Sequence, residues 1–232
     1  TLEQRIQLLG LVRSEDPNVA RGLIESTWQQ DSPDDRAKFL EAMRPNLGPA
    51  DESLLESALD DRKKSVRDAA AELLARSVES AYAQRMTQRL AGLVAYSAPQ
   101  TRLLRKKAAQ LSVSLPAEPD TAAKRDGLVA KARDGMGPQA AMLSDIVAAT
   151  PLAFWSQFNA APSELISAAV AGDFAQPLLG GWLRAATRQG SPGWAEAMLR
   201  ALIDPKVQKN LPTPDAQNIQ ALIKVLTKDQ AE

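Results

Sequence analysis

Residues 51–77 read Asp51-Glu52-Ser53-Leu54-Leu55-Glu56-Ser57-Ala58-Leu59-Asp60-Asp61-Arg62-Lys63-Lys64-Ser65-Val66-Arg67-Asp68-Ala69-Ala70-Ala71-Glu72-Leu73-Leu74-Ala75-Arg76-Ser77. Leu54, Leu55, Ala58 and Leu59 form one stripe at helical spacing, and Val66, Ala69, Ala70, Leu73 and Leu74 form a second. The charged residues between them are too few for anything but a turn, and a short turn makes its two helices antiparallel neighbours. A helix with a single apolar stripe cannot bury it alone, so such pairs stack on further pairs. The alanines let the second helix approach its neighbours closely, which places Ala70 in a tight contact. Arg67 reads as structural: Asp60 or Asp61 can pair with it across the turn or from the adjacent pair.

The same punctuation recurs outward from this segment. Leu2, Ile6, Leu9 and Val12 sit three or four apart and stop at Ser14-Glu15-Asp16-Pro17. There Asp16 can cap a helix whose first turn accepts Pro17, because that position has no use for an N–H. Asp31-Ser32-Pro33 and Gly190-Ser191-Pro192 repeat the device. A shift of 47 residues lays Val12 over Leu59 and Val19 over Val66, a faint internal echo. Helices are expected over 80–96 and 100–111, the second placing Arg102, Arg105 and Lys106 on one face. Alternating runs of strand formers look absent. Ser114-Leu115-Pro116-Ala117-Glu118-Pro119-Asp120 breaks the pattern, dividing the chain into helical pairs over 1–112 and a continuation over 121–232. Helices resume over 121–133, 139–149, 162–171, 174–189, 191–203 and 214–226. The expected fold is all-α, an α-solenoid of stacked antiparallel helix pairs.

The 232 residues include neither histidine nor cysteine. That excludes a Ser-His-Asp triad, a Cys-His nucleophile, thiol redox chemistry and any Cys/His zinc site. The acidic groups at Asp31, Asp34, Asp35 and at 51–61 lack the spacing of a calcium loop, and Gly135-Met136-Gly137 follows no strand and is a turn. No metal and no cofactor is expected. No run of 18 apolar residues exists, so no membrane role is expected, and the basic-then-apolar layout of a signal peptide is missing at Thr1-Leu2-Glu3-Gln4-Arg5. The first residue is not methionine, and the chain reads as a piece of a longer protein of the cytoplasm.

The formal net charge of zero hides an asymmetry: residues 1–60 carry −6, 61–133 carry +8 and 134–232 carry −2. The cations of the middle stretch, Arg62, Lys63, Lys64, Arg85, Arg89, Arg102, Arg105 and Lys106, are the candidate binding residues, expected to meet the acidic face of a protein partner. Nucleic acid is disfavoured, since the chain as a whole is neutral and no aromatics interleave the basic residues to stack bases. Trp28, Trp155, Trp182 and Trp194 lie in apolar patterns and read as packing residues.

The 51–77 segment resembles a HEAT repeat, with a leucine-rich first helix, an aspartate-rich turn and a Val-Arg pair opening an alanine-rich second helix. The order of features is also similar to an uncharacterised bacterial family with a HEAT-like core. The matching stretches are Leu8–Pro17, Arg36–Leu40, Asp51-Glu52, Leu59–Arg62, Val66–Ala70, Gln84-Arg85-Met86 with Arg89, and the segment around Trp182 and Trp194. Such proteins are often encoded beside a SWIM-type zinc-finger protein, a MoxR-like AAA ATPase and a von Willebrand factor A-type protein. The resemblance implies a scaffold or adaptor in an ATPase-centred assembly, not an enzyme, and no catalytic residues. The alternative is a DNA-acting enzyme resembling the HEAT-like alkylpurine glycosylases, which combine an acid, a basic groove and aromatics.

Overall fold

The computed structural model describes residues 1–102, 105–208 and 216–229, with 101, 102, 105, 106, 228 and 229 described by backbone alone. The protein is predominantly helical, with one small antiparallel hairpin among the described residues. It forms two compact units, each assembled from two stretches of chain: residues 1–83 with 120–127, and residues 84–119 with 128–232.

The first unit contains α1 (Leu2–Glu15), α2 (Pro17–Thr27), α3 (Pro33–Ala42), a 3₁₀ turn (Pro49–Asp51), α4 (Glu52–Ala58), α5 (Lys64–Leu74), the start of α6 (Ala81–Ala91) and α7 (Thr121–Arg125). Its helix starts follow the capping logic of the sequence. Asp16 accepts from the backbone N–H of Asn18 at 2.9 Å and of Val19 at 3.2 Å, with Pro17 opening α2; Ser32 accepts from Asp35 N–H at 3.2 Å, with Pro33 opening α3. The core is aliphatic and tight: Leu40, Val66, Ala70 and Leu74 are inaccessible to water, and Ile24, Phe39, Met43, Leu55 and Leu59 nearly so. α5 packs on both α3 and α4, as its alanine-rich face requires.

One charged pair sits inside this core. Arg13 and Asp51 are both buried and joined by a two-pronged ion pair, Nη1 to Oδ1 at 2.9 Å and Nη2 to Oδ2. Arg13 spends its other donors on carbonyl oxygens, Nε on Pro45 at 2.8 Å, Nη1 on Pro17 at 3.0 Å and Nη2 on Asn46 at 2.9 Å. Asp51 also accepts from Gly48 N–H at 3.0 Å. A guanidinium so satisfied tolerates the interior, and it ties the end of α1 to the loop before α4.

The second unit contains the remainder of α6, then β1 (Val94–Ser97), β2 (Gln100–Arg102), β3 (Arg105–Lys107), β4 (Gln110–Val113), α8 (Pro138–Ala149), a 3₁₀ segment (Leu152–Phe158), α9 (Pro162–Val170), α10 (Ala175–Gln189), α11 (Pro192–Ile203), α12 (Pro205–Gln208) and α13 (Ala216–Asp229). α8 and α10 form its central pair. They approach so closely at Gly181 that a Cβ there would lie 2.5 Å from Val147 Cγ1. Trp155, Trp182 and Trp194 are buried together, Trp155 edge-on to Trp182 with centroids 4.9 Å apart and Trp182 5.3 Å from Trp194. Phe158 lies 5.9 Å from Trp155 and 5.8 Å from Tyr96, carrying the aromatic cluster to the hairpin.

That hairpin overturns the helix expected over 100–111. β1 pairs with β4 in the register Val94↔Val113, Ala95↔Ser112, Tyr96↔Leu111 and Ser97↔Gln110, and β2 pairs with β3 from Gln100↔Lys107 to Arg102↔Arg105. Val94 and Leu111 are buried while Ala95, Ser97, Gln110 and Ser112 are exposed, the period-two alternation of a strand lying on a core. The ladder is interrupted where Pro99, which has no N–H to donate, follows Ala98. The helix expected over 80–96 stops at Ala91, and that over 121–133 stops at Arg125.

Candidate functional site

The turn between α4 and α5 is built by its own charges. Asp61 accepts Lys63 N–H on Oδ1 at 2.8 Å, closing a local turn ahead of α5. Arg67 reaches back over that turn, but its Nη1 donates to the carbonyl oxygens of Asp61 at 2.7 Å and Arg62 at 3.0 Å rather than to either carboxylate. Both carboxylates have other cations. Asp61 pairs with Arg36 at 2.9 Å, and Asp60 receives Arg125 on both oxygens, Nε at 2.8 Å and Nη2 at 3.0 Å. Arg125 also donates to Glu56, at its carboxylate from Nη1 at 3.0 Å and at its carbonyl from Nη2 at 2.8 Å. The hydrogen bonds from Arg125 hold the Asp60 carboxyl below the usual carboxylate range, and those bonds raise Arg125 in turn.

The consequence is a local excess of positive charge. Asp60, Asp61 and Asp68 are engaged by Arg125, Arg36 and Lys64, the last at 2.5 Å from Asp68. Arg62 and Lys63 are exposed and make no ion pair among the described residues. Lys64 remains exposed beside Asp68.

The other candidate cations belong to the second unit. Arg85 and Arg89 lie on α6 and are half-buried, with Arg89 Nη1 3.7 Å from Met86 Sδ. Arg102, Arg105 and Lys106 lie on β2 and β3, so they occupy the far end of the hairpin and not one face of a helix. Their side chains lie outside the described residues. Arg62, Lys63 and Lys64 are thus gathered on one turn, and Arg102, Arg105 and Lys106 on one ribbon end.

A charged cluster that sequence reading missed joins α8 to α10. Asp145 Oδ1 accepts from Arg133 Nη2 at 2.5 Å and from Arg184 Nη1 at 2.8 Å, while Arg184 Nη2 donates to Ser144 Oγ at 3.0 Å. Burial lowers the Arg184 pKa and outweighs the pull of Asp145, with Arg188 and Arg133 adding repulsion. The only signal in the sequence was Arg184 and Arg188 one helical turn apart. Of the tryptophans, Trp155, Trp182 and Trp194 are core residues, and Trp28 is half-buried with the Arg36 guanidinium 5.5 Å from its ring centroid. No helix among the described residues is long and apolar enough to cross a membrane.

The family of unknown function DUF5691 has a model that matches residues 1–232, and the chain belongs to this family. No curated protein and no solved structure matches the chain.

Proposed function

We propose that this member of the family is a non-enzymatic protein-binding scaffold, an α-solenoid of stacked antiparallel helix pairs that docks the acidic face of a protein partner. The observation that carries this reading is the α4–α5 turn. Its aspartates are taken up by internal cations, which leaves Arg62 and Lys63 displayed without a partner among the described residues. Within the second unit, separately, the backbone of the hairpin places Arg102, Arg105 and Lys106 at one end of a narrow ribbon, and Arg85 and Arg89 lie on α6. The absence of histidine and cysteine supports binding over catalysis. The setting that the family resemblance implies is an ATPase-centred assembly.

Charges of this kind act on encounter rate and salt dependence more than on final affinity. The test is surface plasmon resonance with an immobilised glutamate-rich peptide and, in parallel, a DNA duplex. Arg62→Glu with Lys63→Glu is expected to slow association with the peptide about tenfold at low salt and to leave the melting temperature unchanged. The Arg102→Glu, Arg105→Glu, Lys106→Glu triple variant is expected to do the same. Unchanged association in both variants overturns the reading, and preferential capture of the duplex turns it toward the DNA-acting alternative.

A further inference from the structure

Two helices of the first unit carry an exposed serine as their second residue, Ser53 on α4 and Ser65 on α5. Neither hydroxyl is hydrogen-bonded among the described residues. Ser14, Ser26 and Ser57, by contrast, donate to carbonyl oxygens three or four positions back, at 3.0, 2.7 and 2.8 Å. The two free serines differ in what precedes them. Ser53 follows Asp51-Glu52, and Ser65 follows Arg62-Lys63-Lys64. Residues 62–65 are exposed without a break, while Val66 behind them is inaccessible to water. Lys63 is in extended backbone, at φ −92° and ψ 129°, so the chain that leads to Ser65 is only one residue into its helix.

The start of α5 also differs electrostatically from other helix starts in its unit. α2 opens under Asp16, α3 under Ser32 with Asp34 and Asp35 in its first turn, and α7 under Asp120, whose carboxylate accepts Ala123 N–H at 2.7 Å. α5 has no capping side chain and no acid in its first turn. Three cations crowd the positive end of its dipole instead, which is unfavourable. A dianionic group on Ser65 would meet the N–H donors of the first turn and those cations, all of them attractive. The folded protein therefore gains stability from such a group. On Ser53 the same group would stand beside Glu52 and be repelled.

We propose that Ser65 is a phosphorylation site, modified by a protein kinase that reads basic residues on the N-terminal side of its target serine. The acidic substrate groove of such an enzyme is complementary to Arg62, Lys63 and Lys64. In the transfer, Ser65 Oγ bonds to the γ-phosphorus of a nucleoside triphosphate and the bond from that phosphorus to the bridging oxygen breaks. The nucleoside diphosphate leaves, and the hydroxyl proton passes to the carboxylate base of the kinase. The phosphate brings about two negative charges to a turn whose excess is Arg62 and Lys63, so it switches the docking surface off. This last step rests on the reading of the turn as a docking site; the modification itself does not.

The test incubates the full chain with magnesium ATP and cyclic-AMP-dependent protein kinase, a basic-directed enzyme, and maps the phosphate by mass spectrometry. Ser65 is expected to be the principal site, with Ser53 unmodified. Arg62→Gln with Lys63→Gln should slow the modification at least about tenfold. Ser65→Ala should abolish it and leave association with the glutamate-rich peptide unchanged. The phosphorylated protein should melt at a higher temperature than the unmodified one and associate with that peptide about tenfold more slowly at low salt. Protein isolated from its own cells with phosphatase inhibitors present is expected to carry phosphate on Ser65. Phosphate spread over other serines, a rate untouched by the loss of Arg62 and Lys63, a phosphoprotein that melts lower, or native protein without phosphate on Ser65 would each overturn the site. If Ser65 is modified as expected but the unmodified protein does not bind the peptide, the docking reading falls and the site stands. If the unmodified protein binds and the phosphoprotein associates as fast, the switch falls.

Discussion

At Arg13 the chain places a permanent charge where the apolar stripe of α1 should continue, and the fold answers with Asp51 and three carbonyl oxygens. Removing one member of a buried pair is far more damaging than removing both, because the survivor is left uncompensated. Asp51→Ala is therefore expected to destabilise the protein by about 3–5 kcal/mol, measured by urea unfolding, and Arg13→Met combined with Asp51→Leu should recover much of the loss. A milder version occurs at Asp31, which accepts from Arg5 Nη1 at 2.8 Å and Thr27 Oγ1 at 2.6 Å. Burial alone would raise its pKa, but the hydrogen bonds from Arg5 and Thr27 together hold it below the usual carboxylate range. A depressed folded value contributes stability above the unfolded pKa of about 4, and that stability fades as pH falls through the folded value. Asp31→Asn should thus cost about 1 kcal/mol at pH 7, at the low end for a charged hydrogen bond because Arg5 is half exposed. The gap from the parent protein should close below about pH 4. What sequence could foresee at this scale is instructive. The structural part of Arg67 was legible from its place after an aspartate-rich turn. Its partners were not, because Arg36 and Arg125 reach the two carboxylates from distant parts of the chain.

At the scale of elements, the helix boundaries that carried a capping residue and a proline were legible: α2 and α3 begin where Asp16-Pro17 and Ser32-Pro33 dictate. The hairpin was not read, for a physical reason. Its far half, Gln100 to Ala109, is rich in arginine, lysine, leucine and alanine, all good helix formers. The competing signal was Val94-x-Tyr96 set against Leu111-x-Val113, alternations that gain their force only when Leu111 is buried in the second unit and Tyr96 meets Phe158. The contact between α8 and α10 supplies a prediction. Gly181→Ala would set its methyl 2.5 Å from Val147 Cγ1, too close for either helix to stay in place. The expected loss is about 1–3 kcal/mol, read from thermal melts. Adding Val147→Ala should restore little of it, because alanine keeps the β-carbon of residue 147, 2.6 Å from the new carbon, and the Ser144 carbonyl oxygen lies 3.0 Å away.

At the scale of the whole molecule, chain order and compact units interleave. The Ser114–Asp120 break, chosen in the sequence because prolines interrupt a helical pattern, is where the chain passes from the second unit back to the first, at Pro119 and Asp120. The eight residues 120–127 return to a unit otherwise made of 1–83, where Arg125 holds Glu56 and Asp60 and the Asp126 carbonyl receives the Tyr82 hydroxyl at 3.2 Å. In the second unit, β1 and β4 come from before the break, and β4 packs on α9 from after it. A cut at residue 116 therefore deprives each unit of part of itself. Fragments 1–116 and 117–232, prepared separately, are expected to show weak, non-cooperative melting and to bind a hydrophobic dye. Mixed at equal concentration, they should regain helical circular dichroism beyond the sum of the two and melt cooperatively. Arg125→Ala in the second fragment should weaken that recovery, since it removes the bidentate clamp on Asp60 along with the bonds to Glu56. If each fragment instead melts cooperatively alone and mixing adds nothing, the two halves are independent domains and the return of 120–127 to the first unit contributes little to its stability.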